Sequence, residues 1–420
     1  MIYYPLDCGD QTLNTLWNKN FTIITLGTVV SMLGHTVSSF ALAVLILELT
    51  NSSFAFALYL ALNNLPRLFV PMIAGTFLDR FSRVKVIYSL DFLSSFVFLF
   101  IFVGLTQNFL NYQLFMILAL IIGTIDSIYQ VAYDSLYPTF IDKGNFSKAY
   151  SISSMIYPIA ALMTPVAAFI HETIGLEILF IFNSLAFFIA AVMETKMDKD
   201  ESHIQEGAQQ YKIKEFKKEY KQGLKYLITH KGLLFITLYF FCNSLFQMSV
   251  SQTLEMPYFK NVPSLGYQRF TFISTANVLG RFIGGFLHYR FELPSKYKFN
   301  IAMSVYVIIS VLHAVYLYTA FTSMLIINFV IGILAVTSFN IRISSTQATV
   351  DNAMRGRFNG VFQTITTTGL IIGQVLWGAL GEVFDARMLI MSMNLVTLVL
   401  TFIVIYRQRE HVKPIYNQTL

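Results

Sequence analysis

Long runs of apolar residues, separated by short polar stretches, fill almost the whole chain. Twelve of these runs approach or exceed the roughly 20 residues that a helix needs to cross a bilayer. They lie near 21–49, 54–78, 85–106, 110–140, 147–171, 174–193, 233–258, 268–290, 298–319, 321–347, 357–381 and 387–406. Helices are favoured there because they satisfy their own backbone hydrogen bonds inside lipid. The pattern therefore predicts an all-α membrane protein with twelve transmembrane helices.

The longest polar segment divides the predicted spans into two sets of six. We predict an N-terminal six-helix bundle over 1–193, a cytoplasmic linker over 194–231 and a C-terminal six-helix bundle over 232–420. Within the linker, apolar residues recur at helical spacing between lysines, at Ile213, Phe216, Tyr220, Leu224 and Leu227. This pattern predicts an amphipathic helix on the inner leaflet. A binding site for a calmodulin-like partner is the alternative.

Composition and charge narrow the class of protein. Apolar types make up 55% of the 420 residues and charged types 12%, whereas about a quarter of residues are charged in a soluble domain. The net charge of +6 does not indicate nucleic acid, because the basic residues concentrate in one set of alternate loops. By the positive-inside rule both termini are expected in the cytoplasm, with the chain in the cell (plasma or inner) membrane. Cys8 and Cys242 indicate neither a disulfide framework nor a metal site.

Short stretches of the two halves match each other at nearly the same spacing. Residues 75–80, after the second run, match 285–290, after the eighth, and residues 148–151 match 357–360. Together with the six-plus-six order, these matches indicate two structural repeats. Such repeats are common in secondary transporters that bind their substrate near the membrane midplane.

A loop signature lies between the second and third runs. Gly75, Asp79, Arg80, Arg83 and Lys85 fit G-x-x-x-D-R-x-x-R-x-K, which resembles the signature of the major facilitator superfamily. Further stretches resemble the branch that contains macrolide efflux pumps and the enterobactin exporter, at 31–34, 47–52, 65–67, 222–227 and 354–357. The resemblance covers most of the chain and implies the major facilitator fold.

The resemblance implies that this loop forms the cytoplasmic gate, with Gly75, Asp79, Arg80 and Arg83 as gating residues. Physically, a carboxylate at a membrane edge can accept hydrogen bonds from a helix N-terminus and from arginines. The alternative for Arg83 and Lys85 is that they only set the topology. Glycines of the family's antiporter signature are replaced by small residues after Pro165, so the export direction depends on the overall resemblance.

Charged residues within a membrane span are costly and usually face a cavity or a partner. The resemblance implies that the first, fourth, seventh and tenth spans line the central cavity. Those spans carry His35, Asp126, Asp134, Glu255 and Arg342. The remaining charged groups in the spans, Arg67, Asp91 and Arg281, are interpreted as structural.

Depth selects two of these residues as candidates for proton coupling. His35 and Asp126 each lie about 14 residues from the inner end of their span, which corresponds to about 21 Å at the helical rise. We therefore expect them to share a proton near the midplane. The alternative is that both are hydrogen-bonded and never titrate.

Asp134 and Arg342 are further candidates for gating. Both lie about six residues from the cytoplasmic ends of the fourth and tenth spans. Because equivalent spans approach each other when the cytoplasmic side closes, an ion pair between them is a candidate inner latch. The alternative is that each pairs within its own half.

Aromatic residues and methionine are frequent in the seventh span. Phe241, Phe246, Met248 and Glu255 are candidates to line a cavity for a large amphipathic ligand, although lipid-facing packing explains the aromatic residues equally well. The sequence contains no G-x-x-x-x-G-K-[ST] loop. The expected energy source is therefore a proton gradient, with no cofactor and no metal.

These patterns predict a secondary active transporter, not an enzyme. The expected function is export of a drug-, macrolide- or siderophore-like molecule by proton antiport with alternating access. The alternatives are a proton-coupled symporter that imports a small nutrient and a non-transporting sensor on the same fold. The expected partners are the small-molecule substrate and membrane lipids, without nucleic acid, and the chain is expected to be monomeric.

Overall fold

The structure is a computed structural model that describes residues 16–71, 81–141, 145–198, 213–291 and 293–418. Within these residues the chain is helical and contains no strand. Twelve helical segments are long and apolar enough to cross a membrane, and we call them spans 1 to 12. They are Lys19–Thr50, Ser53–Pro71, Arg83–Thr106, Tyr112–Phe140, Lys148–Thr173, Glu177–Glu194, Lys231–Asn261, Gly266–Arg290, Ser295–Tyr318, Phe321–Thr349, Arg355–Gly381 and Ala386–Tyr406. The predicted all-α class with twelve transmembrane helices is confirmed.

Side-chain caps fix where several spans begin. Asn18 accepts a hydrogen bond from the backbone N–H of Phe21 at 2.8 Å, and Asn111 accepts one from Leu114 at 2.9 Å. Such caps satisfy N–H groups that the first helical turn leaves without partners. They allow one span to follow another after a loop of only a few residues.

Spans 5, 7 and 12 depart from regular helix inside the bundle. Span 5 consists of two helices, Phe146–Ala161 and Met163–Thr173, and the first contains Pro158, which cannot donate a backbone hydrogen bond. Spans 7 and 12 contain π-helical turns at Ser244–Met248 and Thr401–Tyr406. Turns of this kind often mark functional or mobile positions in helices.

Spans 1–6 and spans 7–12 form two halves that meet along their sides. Span 2 packs against span 11, and span 5 packs against span 8. Gly378 of span 11 lies so close to Ala57 of span 2 that a side chain at this position has no room. We call the end of the molecule that holds Lys19 and Lys231 the basic end and the other the opposite end.

The linker contains the helix Ile213–Thr229, but this helix packs on protein. Leu227 is 1% exposed in the core of the C-terminal half, and Leu224 packs beside it. At Gly223 a Cβ would lie 2.8 Å from the carbonyl oxygen of Arg357, so only glycine allows the helix to approach this closely. The expectation that the apolar face lies in lipid is wrong for these residues, because the C-terminal half offers them a protein surface.

Candidate functional site

A cavity of about 570 Å³ lies in the N-terminal half where this half faces span 11. Its size falls within the roughly 300–1,000 Å³ of typical small-molecule sites. Spans 1, 2, 3, 4, 6 and 11 all contribute to its lining. The ionisable side chains among the lining residues are His35, Arg67, Asp91, Asp126, Tyr129 and Asp134.

The two candidates for proton coupling lie together in the cavity wall. Nδ1 of His35 is 3.9 Å from Oδ1 of Asp126, and their side chains are 34% and 23% exposed. This distance is too long for a direct hydrogen bond, but it allows an ion pair or one bridging water. Oδ2 of Asp126 is buried and has no hydrogen-bond partner in the described part of the chain. Asp126 therefore has one carboxyl oxygen that the described side chains leave without a partner.

The two candidate latch residues have partners in their own halves in this structure. Asp134 accepts a hydrogen bond from Nε2 of Gln130 at 2.9 Å. The guanidinium carbon of Arg342 lies 4.6–5.2 Å from the centroids of three rings, those of Phe240, Phe339 and Phe362. Aromatic faces attract a cation electrostatically. The Asp134–Arg342 latch stays a prediction for a state in which the basic end is closed.

The loop signature lies mostly outside the described residues. Gly75, Asp79 and Arg80 fall in the gap between 71 and 81, so their gating roles stay predictions. Nη1 of Arg83 donates a hydrogen bond to the carbonyl oxygen of Ser135 at 3.1 Å. Arg83 therefore ties the start of span 3 to the basic end of span 4.

The opposite end is closed by side chains that cross between the halves. Lys260 of span 7 donates to a backbone carbonyl near the end of span 1 and to Oδ1 of Asn51, the latter at 2.6 Å. Glu382, just after span 11, accepts from Oγ of Ser52 at 2.7 Å and from the backbone N–H of Phe54 at 2.8 Å. Every hydrogen bond found between the halves among the described residues is one of these four. The cavity is therefore closed off from the opposite end.

Aromatic packing reinforces this closure. The ring of Tyr267 in span 8 lies 6.3 Å from Phe40 in span 1 and 5.8 Å from His171 in span 5. Nε2 of His171 lies 3.1 Å from Oε1 of Glu48. Sequence reasoning missed these contacts, as it missed those of Lys260, because a residue within a span gives no local sign of the half that it contacts.

The predicted substrate residues of span 7 are absent from the lining of this cavity; they are Phe241, Phe246, Met248 and Glu255. Phe246 packs against Trp377, with ring centroids 5.9 Å apart, and the ring of Phe241 lies against Gly369. Met248 is 45% exposed, and Glu255 lies next to Tyr316. Their roles stay predictions.

Two residues that the sequence indicated as structural do line the cavity. Arg67 and Asp91 both contribute to its wall, because span 2 and span 3 turn these positions toward span 4. Behind the wall, the carboxyl group of Asp91 faces that of Glu194. Glu194 ends the sixth apolar run, so sequence reasoning assigned it to the linker; the structure places it inside, with 0% exposure.

Comparison with known proteins gives the family. Residues 24–373 match the family model described as the Major Facilitator Superfamily. An uncharacterised MFS-type transporter, YkuC of Bacillus subtilis (strain 168), is 25% identical over 231 residues, which are 53% of each chain. The matched region therefore spans about half the length of that relative.

Solved structures share the fold at low sequence identity. The nucleoside transporter NupG has a TM-score of 0.70 and 13% identity, over 91% of this chain and 98% of its own. A bacterial homologue of the iron transporter ferroportin, in its inward-facing state, has a TM-score of 0.67 and 14% identity, over 96% and 99%. Likeness at these identities shows the fold alone, and the resemblance to macrolide and enterobactin exporters stays an expectation. The family model shows that the chain belongs to the Major Facilitator Superfamily and is a membrane transporter, not an enzyme.

Proposed function

We propose that this transporter exports a cationic amphipathic organic molecule in exchange for protons. The observation that carries the proposal is the His35–Asp126 pair, which lies in the wall of a cavity closed at its opposite end. A carboxylate that is partly exposed to the cavity can bind either a proton or the positive group of a ligand. The proposed transporter works as a monomer and needs no cofactor besides the proton gradient.

The charge of the cavity supports a cationic ligand. Three aspartates, Asp91, Asp126 and Asp134, line it together with one arginine, Arg67. A cleft lined mainly by one sign of charge concentrates ligands of the other sign. Among the drug-, macrolide- and siderophore-like ligands predicted from the sequence, those with a protonated amine fit this lining best.

Competition at Asp126 supplies the coupling. Desolvation favours the neutral form of a carboxyl group, and a nearby cation favours the charged form. A ligand cation that enters the cavity therefore displaces the proton from Asp126, and a proton that enters from the other side displaces the ligand. Each ligand that leaves is exchanged for a proton that enters.

The proposed direction rests on the resemblance to macrolide and enterobactin exporters. With the basic end in the cytoplasm, as the positive-inside rule predicts, Lys260 and Glu382 close the external side. Importers and exporters both visit such a state during alternating access, so the assay of direction decides between them.

Vesicles of known orientation test this proposal. In inverted vesicles that carry the protein, we expect an acid interior to drive uptake of ethidium, an organic cation, and we expect little uptake in protein-free vesicles. Uptake confined to right-side-out vesicles with an acid exterior would support the proton-coupled importer and overturn export. A fluorescent organic anion of similar size is the matched control probe. If it accumulates and ethidium does not, the proposal that the ligand is cationic is overturned. Failure to move either ion would favour the sensor.

A further inference from the structure

We propose that Asp91 and Glu194 form a second cation site, separate from the His35–Asp126 pair, that reversibly binds and releases one small monovalent cation, either H⁺ or Na⁺. The site lies behind the cavity, between spans 1, 3, 4 and 6. Its carboxyl groups are among the most buried in the described chain, with Asp91 1% exposed and Glu194 0% exposed. The proposal concerns cation binding alone and does not depend on the transported ligand.

The oxygen atoms of this site lack partners. Oδ2 of Asp91, both carboxyl oxygens of Glu194 and the hydroxyl of Tyr129 are buried and have no hydrogen-bond partner among the described residues. The hydroxyl of Tyr129 lies close enough to interact with both carboxyl groups. Burying carboxylates without partners is strongly unfavourable. Four such oxygens in one place indicate an occupant that carries positive charge.

The surrounding helices do not supply that charge. Thr28 and Ser31 of span 1 lie beside Tyr129, but both hydroxyls already donate to backbone carbonyls of their own helix. From span 4, the ionisable groups that act on the pair are Tyr129 and Asp126, and Asp126 adds a further negative charge. No salt bridge joins Asp91 or Glu194 to a basic residue within the described ranges.

The geometry provides a route to the pair. A Cβ at Gly27 would lie 2.8 Å from Oε1 of Glu194, so glycine lets this carboxyl oxygen lie directly against span 1. Asp91 and Tyr129 also line the cavity, and a cation can therefore reach the pair from there.

The ligand set fits a proton or Na⁺ better than a transition metal. Transition-metal sites usually gather three or more His, Cys, Asp or Glu side chains, and the described residues contain no such group. Two facing carboxyl groups can share one proton, as paired carboxyl groups elsewhere do. The same carboxylate and hydroxyl oxygens are hard ligands that suit Na⁺ equally well. Either ion changes the charge of the pair that lies near Asp126.

Thermal unfolding of the purified full-length protein tests the Na⁺ arm. If Na⁺ binds, NaCl should raise Tm by at least about 2 °C over choline chloride at equal ionic strength, because a ligand that binds the folded state stabilises it. Glu194→Gln and Asp91→Asn should abolish the rise. Glu172→Gln, which changes an exposed carboxyl group at the end of span 5, is the matched control and should keep it.

Infrared spectroscopy tests the proton arm. If a proton is the occupant, a carbonyl stretch of protonated carboxyl should appear and disappear as pH is varied between about 5 and 9. The titrating band should be missing in both Glu194→Gln and Asp91→Asn and present in Glu172→Gln. Tyr129→Phe keeps both carboxyl groups, so it should retain the occupant with an affinity lower by about threefold to tenfold. The Tyr129→Phe variant therefore still tests the site if a carboxyl variant cannot be purified.

The outcomes separate cleanly. Stabilisation by Na⁺ that depends on Glu194 supports a Na⁺ site, and a titrating band that depends on both carboxyl groups supports a proton site. Absence of both effects, or a carboxyl band that never titrates, overturns the proposal and leaves a permanently protonated structural pair. Neither measurement requires transport, so a failed export assay has no bearing on the result.

Discussion

The two halves of this transporter share one topology but hold their buried charges in different ways. In the N-terminal half, His35, Asp91 and Asp126 lie on or beside a cavity, and oxygens of both aspartates have no hydrogen-bond partner among the described residues. The C-terminal half contributes Gln363 to the same cavity. Its own cation within the spans, the half-buried Arg342, lies against three aromatic rings.

Part of the polar interior of the C-terminal half is paired within that half, although buried hydroxyls such as that of Tyr316 have no partner among the described residues. Nε2 of Gln247, in the π-helical turn of span 7, donates to Oδ1 of Asn394 at 2.7 Å and lies 3.2 Å from Nδ1 of His313. A group whose partner is built into the protein has little to exchange with solvent, whereas a group without one can bind a proton or a ligand. We infer that the carboxyl groups of the N-terminal half are the better candidates for ion coupling, whereas the C-terminal half contributes a fixed cation, Arg342, held by aromatic rings.

The largest expected effect is at Asp126. Asp126→Asn should reduce gradient-driven accumulation of ligand to the level of protein-free vesicles, because the amide cannot carry a proton. It should preserve most of the downhill exchange of ligand, since exchange requires rocking without net proton release. Both rates are measured in proteoliposomes, with Glu172→Gln as the control. If Asp126→Asn still accumulates ligand, His35 is the next group to test. If Glu255→Gln loses gradient-driven accumulation to the same extent, coupling is not confined to the N-terminal half.

A crosslinking effect of intermediate size is expected for the inner latch, where Asp134 and Arg342 should leave the partners in their own halves and pair with each other. In a background with Cys8 and Cys242 replaced by serine, the pair Asp134→Cys and Arg342→Cys should crosslink mainly during turnover, when the basic end closes. The pair Asn51→Cys and Lys260→Cys should show the reverse, because these residues are already hydrogen-bonded at 2.6 Å. Equal crosslinking of the first pair at rest would contradict a latch, and none in either condition would mean that each residue pairs within its own half.

The smallest effect is expected where the linker helix attaches to the C-terminal half. The Tyr226 hydroxyl donates to Oδ2 of Asp351 at 3.3 Å, so Tyr226→Phe should cost about 0.5–1 kcal/mol of unfolding free energy. Burial raises the pKa of Tyr226. The contribution is therefore fully present below the unfolded pKa of about 10 and is lost only as pH rises through the folded pKa.

The Tm difference between Tyr226→Phe and the parent should accordingly stay constant between about pH 6 and 9. Tyr289→Phe, at an 86% exposed position, is the control and should not change Tm. A Tm difference that shrinks within this pH range would show that the Tyr226 hydroxyl does not donate to Asp351 in the folded protein.

Residues placed by depth alone could be predicted from the sequence. The rise of a helix is fixed, so His35 and Asp126, equally far from one membrane face, were expected at one height, and the structure places them 3.9 Å apart. The twelve spans follow from the same regularity. An apolar run gives the depth of a residue in the membrane but not the side of the helix on which it lies. The sequence therefore indicates Asp91 as structural, although it lines the cavity.

Contacts between distant spans could not be predicted. The rings around Arg342 come from spans 7, 10 and 11, and no local pattern shows that a cation will be held by rings and not by a carboxylate. Glu194 was misplaced because a charged residue at the end of an apolar run normally marks the membrane surface. The partner of Asp134 depends on the conformational state, which a sequence does not specify.

The aromatic setting of Arg342 has an electrical consequence. An arginine stays charged at any physiological pH, so the C-terminal half carries a fixed positive charge inside the membrane while the opposing wall carries aspartates. Rocking the halves moves these charges through the membrane field, and one charge that crosses 100 mV completely gains or loses about 2.3 kcal/mol. If the halves rock as proposed, even a partial displacement of these charges makes the conformational equilibrium voltage-dependent. We therefore expect loss of the membrane potential to shift the resting state of the transporter even when the pH gradient is intact.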